Sequence, residues 1–269
     1  MLNVVAITGA GLSVDSGIRP YRGDGGIYTE LEQKYGMRIE QLLTVGHFKK
    51  DPDTFWDYWA TMHSAVGSVE PNAAHHALVS ISDKTNFIEI TQNVDGLSKR
   101  AGMLTDEIIE LHGSAHSYRC FRCGIAHSVT VVEGMPTPRC NSCGHPEHAP
   151  IRPNIVMFGE TIKSEHYKLA VSRCRNADVL LVIGTTLQFG YLVDFIQAAC
   201  LNDAVLIHID PNAAEDVVPN EAVGLNPTFA LPERANVGVP AVAEILSSAI
   251  TKQDVIDALR ALNSSIHVS

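Results

Sequence analysis

Nowhere in the 269 residues does an apolar stretch reach the roughly 20 residues that crossing a bilayer requires, so no membrane-spanning protein is expected. A basic n-region and a cleavage pattern are missing from the opening MLNVVAITGAG. That segment reads as a buried strand rather than a signal peptide, and the expectation is a cytoplasmic protein. Positive charge is also in deficit. Lys and Arg total 20 against 30 Asp and Glu, and the net charge of -10 opposes long-range attraction to nucleic-acid phosphates, so no nucleic-acid partner is expected. No internal repeat or low-complexity tract is visible, and hydrophobic and charged residues, at 45% and 19%, lie near the soluble average. The length fits one large domain with insertions or two modest ones.

Two nucleotide fingerprints are absent as well. ITGAGLSVDSGIRPYRG (7–23) crowds Gly9, Gly11, Gly17 and Gly23 behind a first apolar run, but the third glycine of G-x-G-x-x-G is replaced by Val14, which weakens a dehydrogenase reading. No Lys-Ser or Lys-Thr pair follows the glycines, so the P-loop pattern fails. A nucleotide cradle and a tight strand-to-helix turn both remain open at this point.

What is present reads as α/β. Near-continuous apolar runs recur at 3–8, 86–91, 107–112, 154–158, 178–184 and 204–209, as parallel strands covered on both faces require. Helices are predicted at 53–66 and at 72–82, the latter opened by Pro71 and Asn72, and two more follow in PAVAEILSSAI and TKQDVIDALRALN. Residues 119–149 hold four paired cysteines and no long apolar periodicity. The expected division is a Rossmann-like parallel-sheet domain of 1–29, 83–118 and 150–269, and a smaller helical and zinc-ribbon domain of 30–82 and 119–149.

Cys120-x-x-Cys123 and Cys140-x-x-Cys143, sixteen residues apart, have the spacing of a four-cysteine zinc site. With all four positions filled no water is activated, so the metal is structural. His116, His127, His145 and His148 lie close enough in sequence to replace a cysteine. Arg119, Arg122 and Arg139 raise a nucleic-acid-binding ribbon as a rival, which the net charge opposes. Cys174 and Cys200 read as small buried hydrophobes.

Several motifs, in order along most of the chain, resemble the sirtuin family of NAD-dependent protein-lysine deacylases, with bacterial class III-like features. They are GAGLSVDSGI with the Tyr21-Arg22 pair, PNAAH (71–75), TQNVD (91–95), LHG (111–113), the paired cysteines, FGE (158–160), GTT (184–186) and AVLIHIDPN (204–212). The resemblance implies NAD held by Gly9, Ala10, Gly11, Ser13, Ser16, Tyr21, Arg22, Gln92, Asn93, Val94, Asp95, Gly184, Thr185, Thr186, His208 and Asp210. The amides of Ala10 and Gly11 would face the diphosphate, Arg22 would neutralise it, and Tyr21, where the family usually has Phe, would shield the ribose. His208 stands where the family usually has Asn.

The implied reaction begins with attack of the acyl-lysine oxygen on the ribose carbon that bears nicotinamide, which leaves. His112 as general base, with Asn93 shaping the site, then takes a ribose hydroxyl proton, and free lysine and O-acyl-ADP-ribose result. Met157, Phe158, Gly159 and Glu160 would pair with an acyl-lysine protein or peptide. Gly17-Ile18-Arg19 looks like the class that takes acidic acyl groups, whose Tyr-x-x-Arg pair aligns here with Trp56 and Trp59. No cation remains for a succinyl carboxylate, so deacetylation is expected over desuccinylation. Alternatives are ADP-ribosyl transfer or NAD hydrolysis at the same site, and a non-catalytic zinc-ribbon module.

Overall fold

The computed structural model describes residues 1–18, 28–144, 149–187, 189–213 and 226–266. Its strands are β1 (Asn3–Thr8), β2 (Asn86–Thr91), β3 (Ile108–Glu110), β4 (Gly113–Cys120), β5 (Ala126–His127), β6 (Ile151–Ile155), β7 (Val179–Ile183), β8 (Val205–Ile209) and β9 (Thr228–Leu231). Six of them form a parallel sheet in the order β3-β2-β1-β7-β8-β9, and β5-β4-β6 form an antiparallel one.

The apolar runs become the parallel sheet because both of its faces are covered. On one face Val4, Ala6, Leu181 and Ile207 pack under the helices 73–82, 235–248 and 252–266 through Leu78, Val242 and Leu259. On the other, Val5, Ile7, Leu180 and Val182 meet Ala170, Phe195 and Ile196 of helices 164–175 and 190–200. Chain order reverses at β1, which has β2 on one side and β7 on the other. The crevice beyond the carboxyl ends of such strands is where open α/β sheets bind ligands.

Asn72 caps helix 73–82 as expected. Its Oδ1 accepts from the Ala74 and His75 amides (2.9 and 3.4 Å), while its Nδ2 reaches back to Leu12 O (2.8 Å) and ties the helix to the loop after β1. Helix 52–67 starts with Pro52 and an Asp51 cap. With helix 45–50 it lies against the antiparallel sheet, around Phe48, Phe55, Trp56, Tyr118 and Ile151.

Three elements differ from the sequence reading. Of the run at 154–158, expected in the parallel sheet, only 154–155 are in a strand, β6 of the small sheet, which starts earlier at Ile151, and Phe158 makes an isolated bridge to Thr44. Strand β4, GSAHSYRC, carries no apolar alternation, and its pairing with β6 and β5 makes it a strand. Helix 235–248 begins five residues before Pro240, which is tolerated inside it.

Candidate active site

Three loops converge on the reversal point. The turn after β1, a 3-10 helix at Ala10–Ser16, packs backbone to backbone against the turn after β7. The Gly9 amide donates to Ile183 O (3.0 Å) and the Gly11 amide to Gly184 O (2.9 Å). A Cβ on Gly11 would lie 2.5 Å from Gly184 Cα, and Gly184, at φ +57°, would place one 2.6 Å from the Gly11 backbone. These glycines therefore allow the two loops to touch. This corrects one expected detail: the Gly11 amide is held by a carbonyl, so of the two amides assigned to a diphosphate only that of Ala10 stands outside the pairing. Ser16 Oγ is buried with no hydrogen-bond partner among the described residues, a polar atom that a ligand hydroxyl or phosphate would satisfy.

The loop after β2 supplies the remaining polar groups. Gln92 Nε2 donates to Thr185 Oγ1 (3.0 Å) and Thr8 O (3.3 Å), and Asn93 Nδ2 donates to Gly9 O (2.9 Å). Asp95 accepts from Ser13 Oγ (2.8 Å) and from the Leu97 amide (2.9 Å). Burial pushes the Asp95 carboxyl up, against these two donors. Val94 does otherwise: its carbonyl accepts from the Ala115 amide (2.9 Å) and its side chain packs into the small-sheet core.

His112 sits in the turn between β3 and β4. Its Nδ1 lies 2.9 Å from Gln92 O, and a carbonyl only accepts, so Nδ1 carries the proton and Nε2 the lone pair. Nε2 is 2.8 Å from the Tyr191 hydroxyl. Burial holds the ring below the usual histidine range, with the Gln92 carbonyl pulling the other way. The ring is thus neutral at about pH 7, with its lone pair on Nε2. The next residue, Gly113, has φ +79°, and a Cβ there would come 2.0 Å from Asn154 O.

Beyond β6 the chain pairs on with residues 43–44, since the Phe158 amide donates to Leu43 O (2.9 Å). Phe158 and Gly159 are exposed and Met157 is buried. The Glu160 carboxylate turns inward, bonded to both terminal nitrogens of the buried Arg152 (2.8 and 2.7 Å) and to the Met157 amide (2.8 Å).

The sulfurs of Cys120, Cys123, Cys140 and Cys143 all lie within 4.8 Å of one another. Cys123 and Cys140 are 3.9 Å apart, close to the ~3.8 Å edge of a tetrahedron with metal–sulfur bonds of about 2.3 Å. The donor set fits structural zinc. His127 stays outside it, with Nε2 3.2 Å from Cys140 Sγ.

A family model described as the Sir2 family matches residues 9–190. The chain belongs to the Sir2 family. An NAD-dependent protein deacylase of Leptospira interrogans serogroup Icterohaemorrhagiae serovar Lai is 34% identical over 211 residues, covering 77% of this chain and 81% of that protein. Among solved structures, a Sir2 homologue–NAD complex superposes with a TM-score of 0.72 at 28% identity over 96% of this chain and 90% of that one. A Sir2 protein with a deacetylated peptide and 3'-O-acetyl ADP ribose gives 0.70 at 27% identity over 90% of each.

In this Sir2 chain the expected site residues separate into groups. Gly9, Gly11, Ser13, Gln92, Asn93, Asp95, His112, Gly184 and Thr185 come together, while Thr186 is exposed. Tyr21 and Arg22 lie outside the described residues, as does Arg19. His208 is buried within β8, and Asp210 at its carboxyl end accepts from the Asn212 amide (2.9 Å). Trp56, aligned with the acyl end, is wholly buried. It donates to Ile151 O (2.9 Å) and stacks on Tyr118, so any effect on an acyl group passes through packing. Trp59 is 6% exposed in the same cluster. The sequence reading missed Tyr191. In FGYLVDFI it is one aromatic among several and reads as helix core, and no sequence signal separates it from Phe195.

Proposed function

We propose that the protein removes acyl groups from lysine side chains of proteins or peptides in an NAD-dependent reaction, and that acetyl is preferred to succinyl. The observation that carries this reading is the His112 ring, neutral, Nδ1-protonated and buried, next to the Gln92-Asn93-x-Asp95 loop at the sheet reversal. The family membership and the deacylases among its relatives support it.

Bound NAD supplies a ribose carbon that gives up nicotinamide and takes the acyl oxygen. The chain's own groups do the rest. The loops at 9–16, 92–95 and 184–186 would hold the dinucleotide, with Ser16 Oγ and the Ala10 amide available to it. Asp95 is held by Ser13 Oγ and Asn93 by Gly9 O, so both side chains have positioned partners within the protein. His112 Nε2 accepts the proton that the ribose hydroxyl releases. Phe158 and Gly159 are the exposed positions at which a substrate backbone would pair. Helix 52–67, PDTFWDYWATMHSAVG, contains neither Lys nor Arg, which supports the preference against an acidic acyl group. None of the four clustered cysteines is in a disulfide, which leaves all four sulfurs open to ligate a metal.

The test is mass spectrometry after incubation with NAD and a panel of acyl-lysine peptides. Nicotinamide, O-acyl-ADP-ribose and free lysine are expected, with acetyl-lysine turned over fastest. His112→Ala is expected to lower the rate by about 10²–10⁴. Nicotinamide release that is independent of acyl-lysine would replace this reading with NAD hydrolysis, and faster succinyl-lysine turnover would overturn the acyl preference.

A further inference from the structure

The Tyr191 hydroxyl occupies the basic nitrogen of His112. Tyr191 is the second residue of helix 190–200, and its ring is clamped by Phe189, stacked at 5.5 Å and 11°, and by Phe195 at 5.7 Å. Its oxygen lies 2.8 Å from His112 Nε2 and 3.5 Å from Gln92 Oε1. Burial raises the phenol well above its usual value, so it keeps its proton and is the donor to Nε2. Both ring nitrogens of His112 are thereby engaged, Nδ1 by Gln92 O and Nε2 by Tyr191. An imidazole nitrogen has a single lone pair, so a hydroxyl that seeks His112 as its base meets the phenol first.

We propose that Tyr191 is a proton-relay residue, through whose hydroxyl the proton bound for His112 Nε2 passes. The step balances without loss. The Tyr191 O–H bond breaks as Nε2–H forms, and the same oxygen takes the proton of the hydroxyl being activated, so the phenol is regenerated and His112 becomes imidazolium. The helix-borne ring packs on the buried Phe195 and stacks on the exposed Phe189, which favours a relay over a side chain that swings aside. This inference rests on the deacylase reading above.

Tyr191→Phe preserves the packing and removes only the oxygen. In the ligand-free protein, ¹⁵N NMR of the His112 side chain is expected to show a hydrogen-bonded, unprotonated Nε2 that shifts toward the free-acceptor position in Tyr191→Phe. With NAD and acetyl-lysine peptide, Tyr191→Phe is expected to slow O-acetyl-ADP-ribose formation about tenfold or more, while nicotinamide exchange and the KM for NAD stay within about twofold. The solvent-isotope proton inventory should change from curved in the wild type to linear in the variant, which a packing role would not produce. An unchanged Nε2 resonance, or a variant as fast as or faster than wild type, overturns the relay. A wild type that makes no product overturns the deacylase reading itself, so the two failures are distinguishable.

Discussion

Strand β1 has Val4, Ala6 and Ile7 fully buried, with helices on both faces, whereas β4 buries only Ala115, Tyr118 and Cys120 and leaves Gly113 and Ser114 half-exposed and His116 exposed. One sheet closes mainly on apolar area, between two helix layers. The other consists of three strands, one of them the two-residue β5, and two of its buried core members are the metal-binding thiols Cys120 and Cys140. A sheet that small is marginal without an extra constraint. The groups proposed for catalysis therefore stand at the ends of the parallel sheet, and the small sheet is the region expected to depend on its cysteine cluster. His112 lies on the seam, in the two-residue link between β3 of the first sheet and β4 of the second.

Removing the metal should break this comparison most visibly. Structural zinc contributes on the order of 10 kcal/mol in small sites, more than the small sheet can lose. Trp56 and Trp59 are the chain's two tryptophans and both belong to the small-sheet core, so indole fluorescence reports that region alone. A strong chelator, or Cys140→Ala, should red-shift the emission and open 120–143 to protease, while the far-ultraviolet helix signal largely persists. Simultaneous loss of both signals would show that the two sheets are one cooperative unit.

Two glycines sharpen the comparison from either side of His112. Gly113→Ala puts a methyl group 2.0 Å from Asn154 O at φ +79°, so the β4–β6 junction must shift, at a cost of roughly 3 kcal/mol or more. Gly184→Ala meets the Gly11 backbone at 2.6 Å and strains the nucleotide loops by a similar amount. The first should disturb tryptophan emission, and the second should leave it unchanged while weakening NAD binding in calorimetry. The opposite pattern would mean that the sheets are not separable in this way.

The same contrast governs what the sequence made legible. Fully covered strands are written as apolar runs, so β1, β2, β7 and β8 could be read directly, and the Pro71-Asn72 cap announced its helix. Strand β4 could not, since its order comes from pairing and from the cysteines. At the site, the motif residues Gln92, Asn93, Asp95 and His112 do converge, but spacing could not reveal how their hydrogen bonds are shared out. Gly11 reads as a ligand amide and serves loop contact, while Glu160 reads as a peptide-side position and its carboxylate is drawn inward by Arg152. Tyr191 needed three-dimensional proximity across 79 residues of chain to be seen.

The smallest expected effect belongs to the parallel sheet alone. Glu89, on β2, is fully buried, and its Oε1 accepts from Thr8 Oγ1 (2.8 Å). Burial raises its pKa from 4.5 to about 7, with the Ser98 and Thr8 hydroxyls opposing the rise. A folded-state pKa above the unfolded one means that the native protein holds a proton the unfolded chain has released, so stability is intact below pH 4.5 and falls as pH rises toward about 7. Beyond that the loss levels off at about 3 kcal/mol. Glu89→Gln cannot release that proton. Its stability relative to wild type, from urea melts at successive pH values, should climb between pH 4.5 and about 7 and stay level on either side. Taking the difference matters because His75, whose pKa burial lowers to about 4, destabilises the wild type as pH falls through the same window and masks the Glu89 slope. A difference that stays flat across the window would mean that the buried carboxylate is already charged in the native sheet.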